Sequence, residues 1–247
     1  MEFDLSQIKL SNNDIKRCLV LPKKPSKELA EFIGILTGDG YISNDKNKNS
    51  YIVEIAGNKI LDKEYLESYI TNLIKRLFNI KPKLYYKSQQ NTMYVRMLSK
   101  GLYSYLLTIG FKTGKKEQIG IPTWILHDNG LMFSFIKGVI DTDGSLMLIN
   151  KKSKKSKFYP IVCIKVKSKV LVRKIGRFLK KFGFRVNIIE DELRADKRGY
   201  KETIISSVIL SGRSNLNLWV NIINFRNKRH LDKYNRYKMS INGADGI

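Results

Sequence analysis

Two apolar stretches with the same layout set the pattern of the chain. One reads FIGILTGDG and the other reads IKGVIDTDG, each with an internal glycine, a terminal acid and a second glycine. The acids Asp39 and Asp143 are 104 positions apart, and so are Gly34 and Gly138. Apolar residues at three and four spacing indicate that each stretch is a helix. The chain therefore carries two copies of one element.

The residues after each copy repeat the same order of elements. The first copy is followed by a hairpin over YIS and SYIVEIAG, a helix over ILDKEYLESYITNLIKRLF, a hairpin over KPKLYYKSQ and TMYVRML, and a short helix from Gly101 to Gly110. Alternating segments with polar turns predict the hairpins, and the three and four spacing predicts the helices. The second copy repeats this order, with a long charged turn, DELRADKRGYKE, in its second hairpin. This pattern indicates an internal duplication of an αββαββα unit.

The duplication predicts an α/β (α+β) fold made of two pseudo-symmetric halves. We expect an N-terminal arm over residues 1–25, a first half over 26–122, a linker over 123–130, a second half over 131–240 and a tail over 241–247.

Small residues lie four positions apart on each motif helix and therefore share one face. They allow another backbone to approach closely, and the natural partner is the other motif helix. That packing would bring Asp39 and Asp143 together at helix ends where the macrodipole is already negative. Mg²⁺, which prefers oxygen ligands, would relieve the repulsion. The predicted interface residues are Gly34, Gly38, Gly138 and Thr142.

An Asp-Gly pair taken alone is also an ordinary helix stop. The charge of the chain favours a metal site over an ordinary helix stop. Lys and Arg total 46 against 22 acids, which gives a net charge of +24. Self-repulsion on this scale favours a polyanionic partner, and nucleic acid is the leading one. Lysine that serves only solubility is the alternative.

The remaining composition places the protein inside the cell. No apolar run approaches the roughly 18 residues of a membrane span, and MEFDLSQIKLSNND lacks the layout of a signal peptide. Cys18 and Cys163 are isolated, which is typical of buried thiols in a reducing compartment. We therefore expect an intracellular protein of the cytoplasm (nucleoid) or an organellar matrix that is not secreted and has no membrane partner.

The paired stretches resemble the two signature motifs of the LAGLIDADG homing endonucleases in their single-chain form. The resemblance extends over the order of elements from about Ser26 to Lys238. It implies two αββαββα halves packed through paired motif helices, each with a curved antiparallel sheet that lies in the DNA major groove. It also implies that Asp39 and Asp143 bind metal, together with the carbonyl groups of Gly38 and Thr142.

The resemblance also implies a catalytic lysine in the loop after the third helix of each half. In the first half Lys115 or Lys116, in GKKEQIGIP, fits that position, and spacing favours Lys115 slightly. In the second half Lys228, in NFRNKRH, is the counterpart. Ordinary basic surface residues are the alternative for each lysine. His127 and His230 are assigned no role.

DNA contacts are expected from the hairpins, because strands present alternate side chains on one face and a two-stranded ribbon fits the major groove. Arg, Gln and Asn suit base edges, whereas Lys more often contacts phosphates. The first-half candidates are Tyr41, Ser43, Lys46, Lys48, Tyr51, Tyr86, Gln89, Asn91 and Arg96. The second-half candidates are Lys151, Lys154, Lys157, Arg194, Lys197, Arg198 and Lys201.

The expected function is cleavage of both DNA strands by a monomer at a long, partly palindromic site. The enzyme is expected to be a Mg²⁺-dependent endodeoxyribonuclease for which Mn²⁺ substitutes and Ca²⁺ supports binding only. Metals held at two acids would activate a water in line with the leaving 3′ oxygen. The alternative is an intron RNA maturase or a DNA-binding regulator with the same fold. An intein is disfavoured, since INGADGI lacks the His-Asn end that splicing requires.

Overall fold

The computed structural model describes residues 1–45, 50–150, 158–195 and 202–242. It is an α+β structure with two four-stranded antiparallel sheets. The chain divides into two compact units, one of Met1–Gly114 with Ile121–Thr142 and the other of Lys115–Gly120 with Asp143–Ile247. Each unit is described by itself.

The first unit contains most of the elements predicted for the first half, and also the second motif helix. Its helices are α1 (Asn12–Lys16), α2 (Lys27–Asp39), α3 (Thr71–Phe78), α4 (Lys100–Thr108), α5 (Thr123–Leu126) and α6 (Asn129–Asp143). A π-helical segment, Tyr65–Ile70, leads directly into α3. Its strands are β1 (Gly40–Asp45), β2 (Ser50–Asn58), β3 (Lys83–Tyr86) and β4 (Thr92–Leu98). Asp143, the last residue of α6, belongs to the second unit.

The second unit repeats the order of strands and helices. Its strands are β5 (Gly144–Asn150), β6 (Phe158–Val166), β7 (Val186–Arg194) and β8 (Thr203–Ser211). Its helices are α7 (Lys169–Lys181), α8 (Arg213–Ile222) and α9 (Lys228–Asn242), and a 3₁₀ turn covers Lys116–Gln118.

The two sheets have equivalent topology, with strand orders β1-β2-β4-β3 and β5-β6-β8-β7. One face of each sheet carries the core, because side chains alternate along a strand. Val53, Val95 and Met97 in the first sheet are at most 1% exposed, as are Val208 and Leu210 in the second. The opposite face of each sheet, called the open face below, is therefore the one available for a ligand. The predicted fold class is confirmed.

Three local features differ from the sequence-based expectation. Residues 123–130, predicted as a linker, contain α5 and the start of α6. The helix predicted from Lys59 begins later and opens with the π-helical segment. Helix α9 was not predicted. The apolar residues of α9 are widely spaced among basic residues, so the helical periodicity of its hydrophobic positions is weak. No helix in the described ranges is long and apolar enough to cross a membrane.

Asp14 joins the N-terminal arm to the rest of the first unit. It has no exposed surface, accepts a hydrogen bond from the Ser99 hydroxyl at 2.7 Å and accepts another from the Gly101 amide at 3.0 Å. Arg17 lies 3.2 Å from the same carboxylate. Burial raises the pKa of Asp14, but the hydrogen bonds from Ser99, Gly101 and Ser11 outweigh it, so the pKa lies below its ordinary value.

Replacing Asp14 with alanine should lower the free energy of unfolding by about 2 kcal/mol, because buried donors on Ser99 and Gly101 lose their acceptor. Since folding lowers the Asp14 pKa, its ionised form stabilises the native state above the unfolded pKa of roughly 3.9. That stabilisation is lost as pH falls through the folded pKa. Urea unfolding at neutral and acidic pH measures both effects. Asp4→Ala is the matched control, because Asp4 is exposed and accepts from Ser6 of the same arm. Equal losses in the two variants would contradict this role.

Candidate metal and nucleic-acid site

The two motif helices meet at their internal glycines. A Cβ atom added to Gly34 would lie 2.1 Å from the Phe135 carbonyl oxygen and 3.2 Å from the Cα of Gly138. A Cβ atom added to Gly138 would lie 2.2 Å from the Glu31 carbonyl oxygen. These are backbone contacts, so neither position has room for a side chain. Helices α2 and α6 therefore pack along the face that carries the small residues.

The C-terminal turns of both helices bury polar groups that bond to the helix itself. Thr37 donates to the Ile33 carbonyl at 2.8 Å, and Thr142 donates to the Gly138 carbonyl at 2.9 Å. Gly38 is buried in α2. Since the Thr142 hydroxyl is used within its own helix, its backbone carbonyl is the group left to consider as a metal ligand.

Each predicted metal-binding acid is the last residue of its motif helix. Asp39 ends α2 and Asp143 ends α6, and a glycine then begins the first strand of each sheet. At Gly40 the turn is so tight that a Cβ atom would lie 2.2 Å from the Leu36 carbonyl oxygen. Both aspartates are half-buried. The fold therefore places a carboxylate where a helix ends and a sheet begins.

Burial and nearby positive charges act on the Asp143 carboxyl group in opposite directions. Burial raises the pKa of Asp143 above its ordinary value, while the positive charges of Lys116 and Arg229 act in the opposite direction. All three residues belong to the second unit. A carboxylate that is both desolvated and flanked by cations is typical of a functional site.

The start of α9 positions Arg229. The Asn227 side chain accepts from the Arg229 amide at 3.1 Å. The Arg229 guanidinium donates to the His230 Nε2 at 3.3 Å and lies 3.5 Å from the Gly144 carbonyl oxygen. The Nδ1 atom of buried His230 lies 3.4 Å from the Leu146 amide nitrogen. These contacts attach α9 to β5, beside Asp143.

Arg229 and His230 are the residues that sequence reasoning missed. The predicted cation of this segment, Lys228, is exposed at the first position of α9. The next residue, Arg229, has a positive charge that acts on Asp143. The available signal was Asn227, a preferred N-cap residue that precedes the helix. Had α9 been recognised, its first turn would have pointed to Arg229.

The predicted lysine pair of the first half lies in a short loop that belongs to the second unit. Lys115 precedes the 3₁₀ turn and Lys116 begins it. The loop is held by a Glu117–Lys167 ion pair at 3.4 Å and by the buried Ser168 hydroxyl, which donates to the Ile119 carbonyl at 2.7 Å. Lys116, not Lys115, is the cation that acts on Asp143.

Three of the predicted DNA contacts lie on the open face of the first sheet. Tyr41 is opposite Glu54 and Ser43 is opposite Ile52 on that face. Arg96 forms an ion pair with Glu54 and stacks over the Tyr85 ring at 4.6 Å.

Tyr51 and Tyr86 lie on the helix-covered face of the sheet and not on the open face, and their predicted contact with DNA stays a prediction. Tyr51 pairs with Asn44, one position out of step with Ser43, and its ring lies 5.4 Å from that of Tyr103 in α4. Tyr86 donates to Glu67 at 2.6 Å. A shift of one residue moves a side chain to the other face of a sheet, and turn length decides that shift.

The remaining predicted contacts are at hairpin ends or on the second sheet. Gln89 and Asn91 are exposed between β3 and β4. Arg194 is on the open face of the second sheet, where it pairs with Glu192 at 2.8 Å. Those that lie outside the described residues are Lys46, Lys48, Lys151, Lys154, Lys157, Lys197, Arg198 and Lys201.

The arrangement of this site agrees with a sequence comparison. Residues 130–231 match the model of a family described as the LAGLIDADG-like domain. This segment is therefore similar to that family. It contains most of α6, the motif acid Asp143 and the start of α9, including Arg229.

Solved structures extend the likeness to both halves of the chain. I-DmoI in complex with DNA and Mn superposes with a TM-score of 0.53 at 22% identity, over 80% of this chain and 96% of that one. The I-LtrWI LAGLIDADG homing endonuclease bound to target DNA gives a TM-score of 0.56 at 13% identity, over 87% of this chain and 90% of that one. The chain thus has the fold of the single-chain LAGLIDADG homing endonucleases, as the paired motifs predict.

A curated relative is an uncharacterized protein of Methanocaldococcus jannaschii. It is 28% identical over 75% of this chain, and the alignment spans 66% of the relative's own length.

Proposed function

We propose that the protein is a divalent-metal-dependent endonuclease that cuts both strands of a specific DNA site as a monomer. The observation that carries the proposal is the half-buried Asp143 carboxylate at the C-terminus of α6, with the charges of Lys116 and Arg229 acting on it. A protein that only binds DNA gains nothing from a carboxylate beside the phosphates, because the two repel each other.

The residues at this site fit a hard divalent cation. No group of three or more His, Cys, Asp or Glu side chains in the described parts of the chain could hold a metal by itself. Mg²⁺ is suited to such a site, since it commonly binds one or two carboxylates and completes its coordination with water and substrate phosphate. Asp143 and the carbonyl of the preceding residue, Thr142, would hold one cation, and Asp39 and the Gly38 carbonyl would hold its counterpart. A bound cation would supply an activated water and offset negative charge on the phosphate.

Two basic residues near Asp143 have a role separate from metal binding. Lys116 and Arg229 offset the charge that a DNA phosphate would bring to Asp143, and they favour the more negative transition state of phosphodiester hydrolysis. The contacts of Arg229 with His230 and with the Gly144 carbonyl group hold the guanidinium before DNA binds. Preorganised charges of this kind need no rearrangement during the reaction.

The solved relatives support a choice of metals. Structures of I-DmoI contain target DNA together with Mn, Ca or, in a variant, Mg. For this chain we propose that Mg²⁺ supports cutting, that Mn²⁺ replaces it, and that Ca²⁺ supports binding without cutting.

Cleavage of a plasmid tests the proposed function. The substrate carries the locus that flanks the reading frame, joined across the intron-insertion junction, and is incubated with protein in Mg²⁺ or in Ca²⁺. We expect linear product in Mg²⁺ and a bound, intact duplex in Ca²⁺. Specific binding without any cutting in Mg²⁺ would overturn the nuclease and support a DNA-binding regulator. If an intron transcript were bound in preference to the duplex, a maturase would be supported instead.

The two candidate lysines can be separated by mutation. Lys116→Met should slow cutting of one strand about tenfold, which corresponds to ~1.4 kcal/mol of transition-state stabilisation. Lys115→Met should slow it less than about threefold, because the charge of an exposed lysine that does not act on the carboxylate is largely screened. Single-turnover cleavage with each strand labelled separately measures both rates. A larger effect from Lys115→Met would reverse the assignment.

A further inference from the structure

The open face of the second sheet carries aliphatic side chains on all four strands, among polar ones. Side chains of Met, Ile and Tyr occupy it on all four strands, and each is partly or fully exposed. Ile149, for example, is 48% exposed. The residues of this aliphatic patch are Met147, Ile149, Ile161, Ile189, Ile205 and Ile209, and the Tyr159 side chain is opposite Ile149.

Strand register shows how the aliphatic side chains are distributed over the face. Met147 is directly opposite Ile161. Ile209 is opposite Cys163 on the next strand pair, and Ile189 is opposite Ser207. Ile161 is also opposite Ser211, and Ile209 is also opposite Asn187. The patch therefore extends from β5 to β7 with polar side chains between its members, and its exposed apolar groups suit a ligand that also presents apolar groups.

Charged residues lie among the aliphatic ones on the same face. Lys165 is opposite Ser207, and Arg194 pairs with Glu192 at 2.8 Å. Burial raises the pKa of the Cys163 thiol, and the charges of Lys165 and Arg194 act on the same group in the opposite direction. In a chain of net charge +24, an aliphatic patch with cations beside it suits a polyanion that presents apolar groups.

The open face of the first sheet has different chemistry. Tyr41 is 59% exposed and Tyr85 is 39% exposed. Arg96 lies between Tyr85 and Glu54, and Lys87 lies over the Tyr94 ring at 5.4 Å. Hydroxyl groups and charges dominate this face, and they suit hydrogen bonding to base edges. The two sheets therefore offer different kinds of contact.

The major groove of duplex DNA presents one apolar group at its base edges, the C5-methyl group of thymine. Aliphatic side chains contact that methyl group, and a G·C pair presents no methyl group in its place. We propose that the second sheet recognises thymine methyl groups through the aliphatic patch, so that its half of the DNA site is rich in A·T pairs. This inference rests on the proposed function for its ligand, duplex DNA, but not on cutting.

Replacement of thymine by uracil tests the inference, because it removes only the methyl group. A binding site is first selected from a randomised duplex library in Ca²⁺. The half-site whose base preference changes in Arg96→Ala is assigned to the first sheet, and the other half-site to the second. The dissociation constant is then measured with uracil in one half-site at a time. We expect uracil in the second half-site to weaken binding at least about tenfold, because several buried methyl contacts are lost. Uracil in the first half-site should weaken binding less than about threefold.

A matched pair of variants links the effect to the patch. Ile205 is on the open face of β8, whereas its neighbour Ile204 is 53% exposed on the opposite face. Ile205→Ser should lower the ratio of thymine to uracil affinity for the second half-site, and Ile204→Ser should leave that ratio unchanged. Equal uracil effects in both half-sites, or a second half-site without A·T enrichment, would overturn the inference.

Failure of the inference differs from failure of the proposed function. A protein that cuts in Mg²⁺ but shows equal uracil effects retains the nuclease and loses the methyl recognition. A protein that never cuts but discriminates thymine from uracil in one half-site retains the methyl recognition and loses the nuclease. If no duplex is selected from the library, both proposals are wrong.

Discussion

Gly138→Leu is expected to lower the free energy of unfolding by at least about 3 kcal/mol, the upper part of the range for overpacking. The reason is geometric, since even a Cβ atom at this position would lie 2.2 Å from the Glu31 carbonyl oxygen and 2.7 Å from the Ile35 amide nitrogen. Both contacts are with backbone of a buried helix, which cannot turn away as a flexible side chain can. Urea unfolding measures the loss, and DNA cutting should fall with it because both motif acids end these two helices.

The matched control is Gly130→Ala in the same helix. A Cβ atom at Gly130 would lie 3.0 Å from the Lys27 side chain, and its other neighbour is the side chain of Asp128. Such flexible ends can move, so the change should alter stability by less than about 1 kcal/mol, the range of helix propensity. If Gly138→Leu were as mild as Gly130→Ala, the close packing of α2 on α6 would be disproved.

Asp143→Asn is expected to slow cutting of one DNA strand at least about a hundredfold. Even residues that only hydrogen-bond to a metal ligand commonly contribute 10- to 100-fold to metal affinity or activity. The amide keeps the shape of the side chain but removes the charge that holds the cation. Asp39, in the first unit, remains intact, so the other strand should still be cut. A supercoiled plasmid should therefore accumulate as nicked circles in place of linear product, which gel electrophoresis resolves directly.

Two controls separate loss of chemistry from loss of binding or folding. Affinity for the same duplex in Ca²⁺ should be retained, because removing a carboxylate beside phosphate also removes repulsion. Asp191→Asn changes an exposed acid of the same unit that pairs with Lys169 at 2.9 Å, and it should leave both strands cut. Linear product from Asp143→Asn at the normal rate would rule out a role for this acid, and the double variant with Asp39→Asn should cut neither strand.

Local patterns in the chain were enough to predict the architecture. The spacing of Asp39 and Asp143 revealed the duplication, and the periods of 2 and 3.6 residues gave the order of strands and helices. The two sheets have equivalent strand orders, as a duplicated unit requires. The small residues Gly34 and Gly138 pointed to the face on which the helices pack. Each of these features is a pattern of residue types along the chain, within one motif or repeated between its two copies, which is why the sequence shows it.

The cations around Asp143 and the faces of the tyrosines depended instead on tertiary structure. Lys116 and Arg229 act on Asp143 although they are far apart in the chain, because electrostatic energy depends on distance through space. Asn227 and the packing of α9 on β5 place Arg229 near the acid. The register of β1 with β2 places Tyr51 on the helix-covered face, since one residue of slip exchanges the two faces of a strand. Sequence therefore determined which elements form and which acids end the motif helices, whereas folding decided which neighbours those acids have.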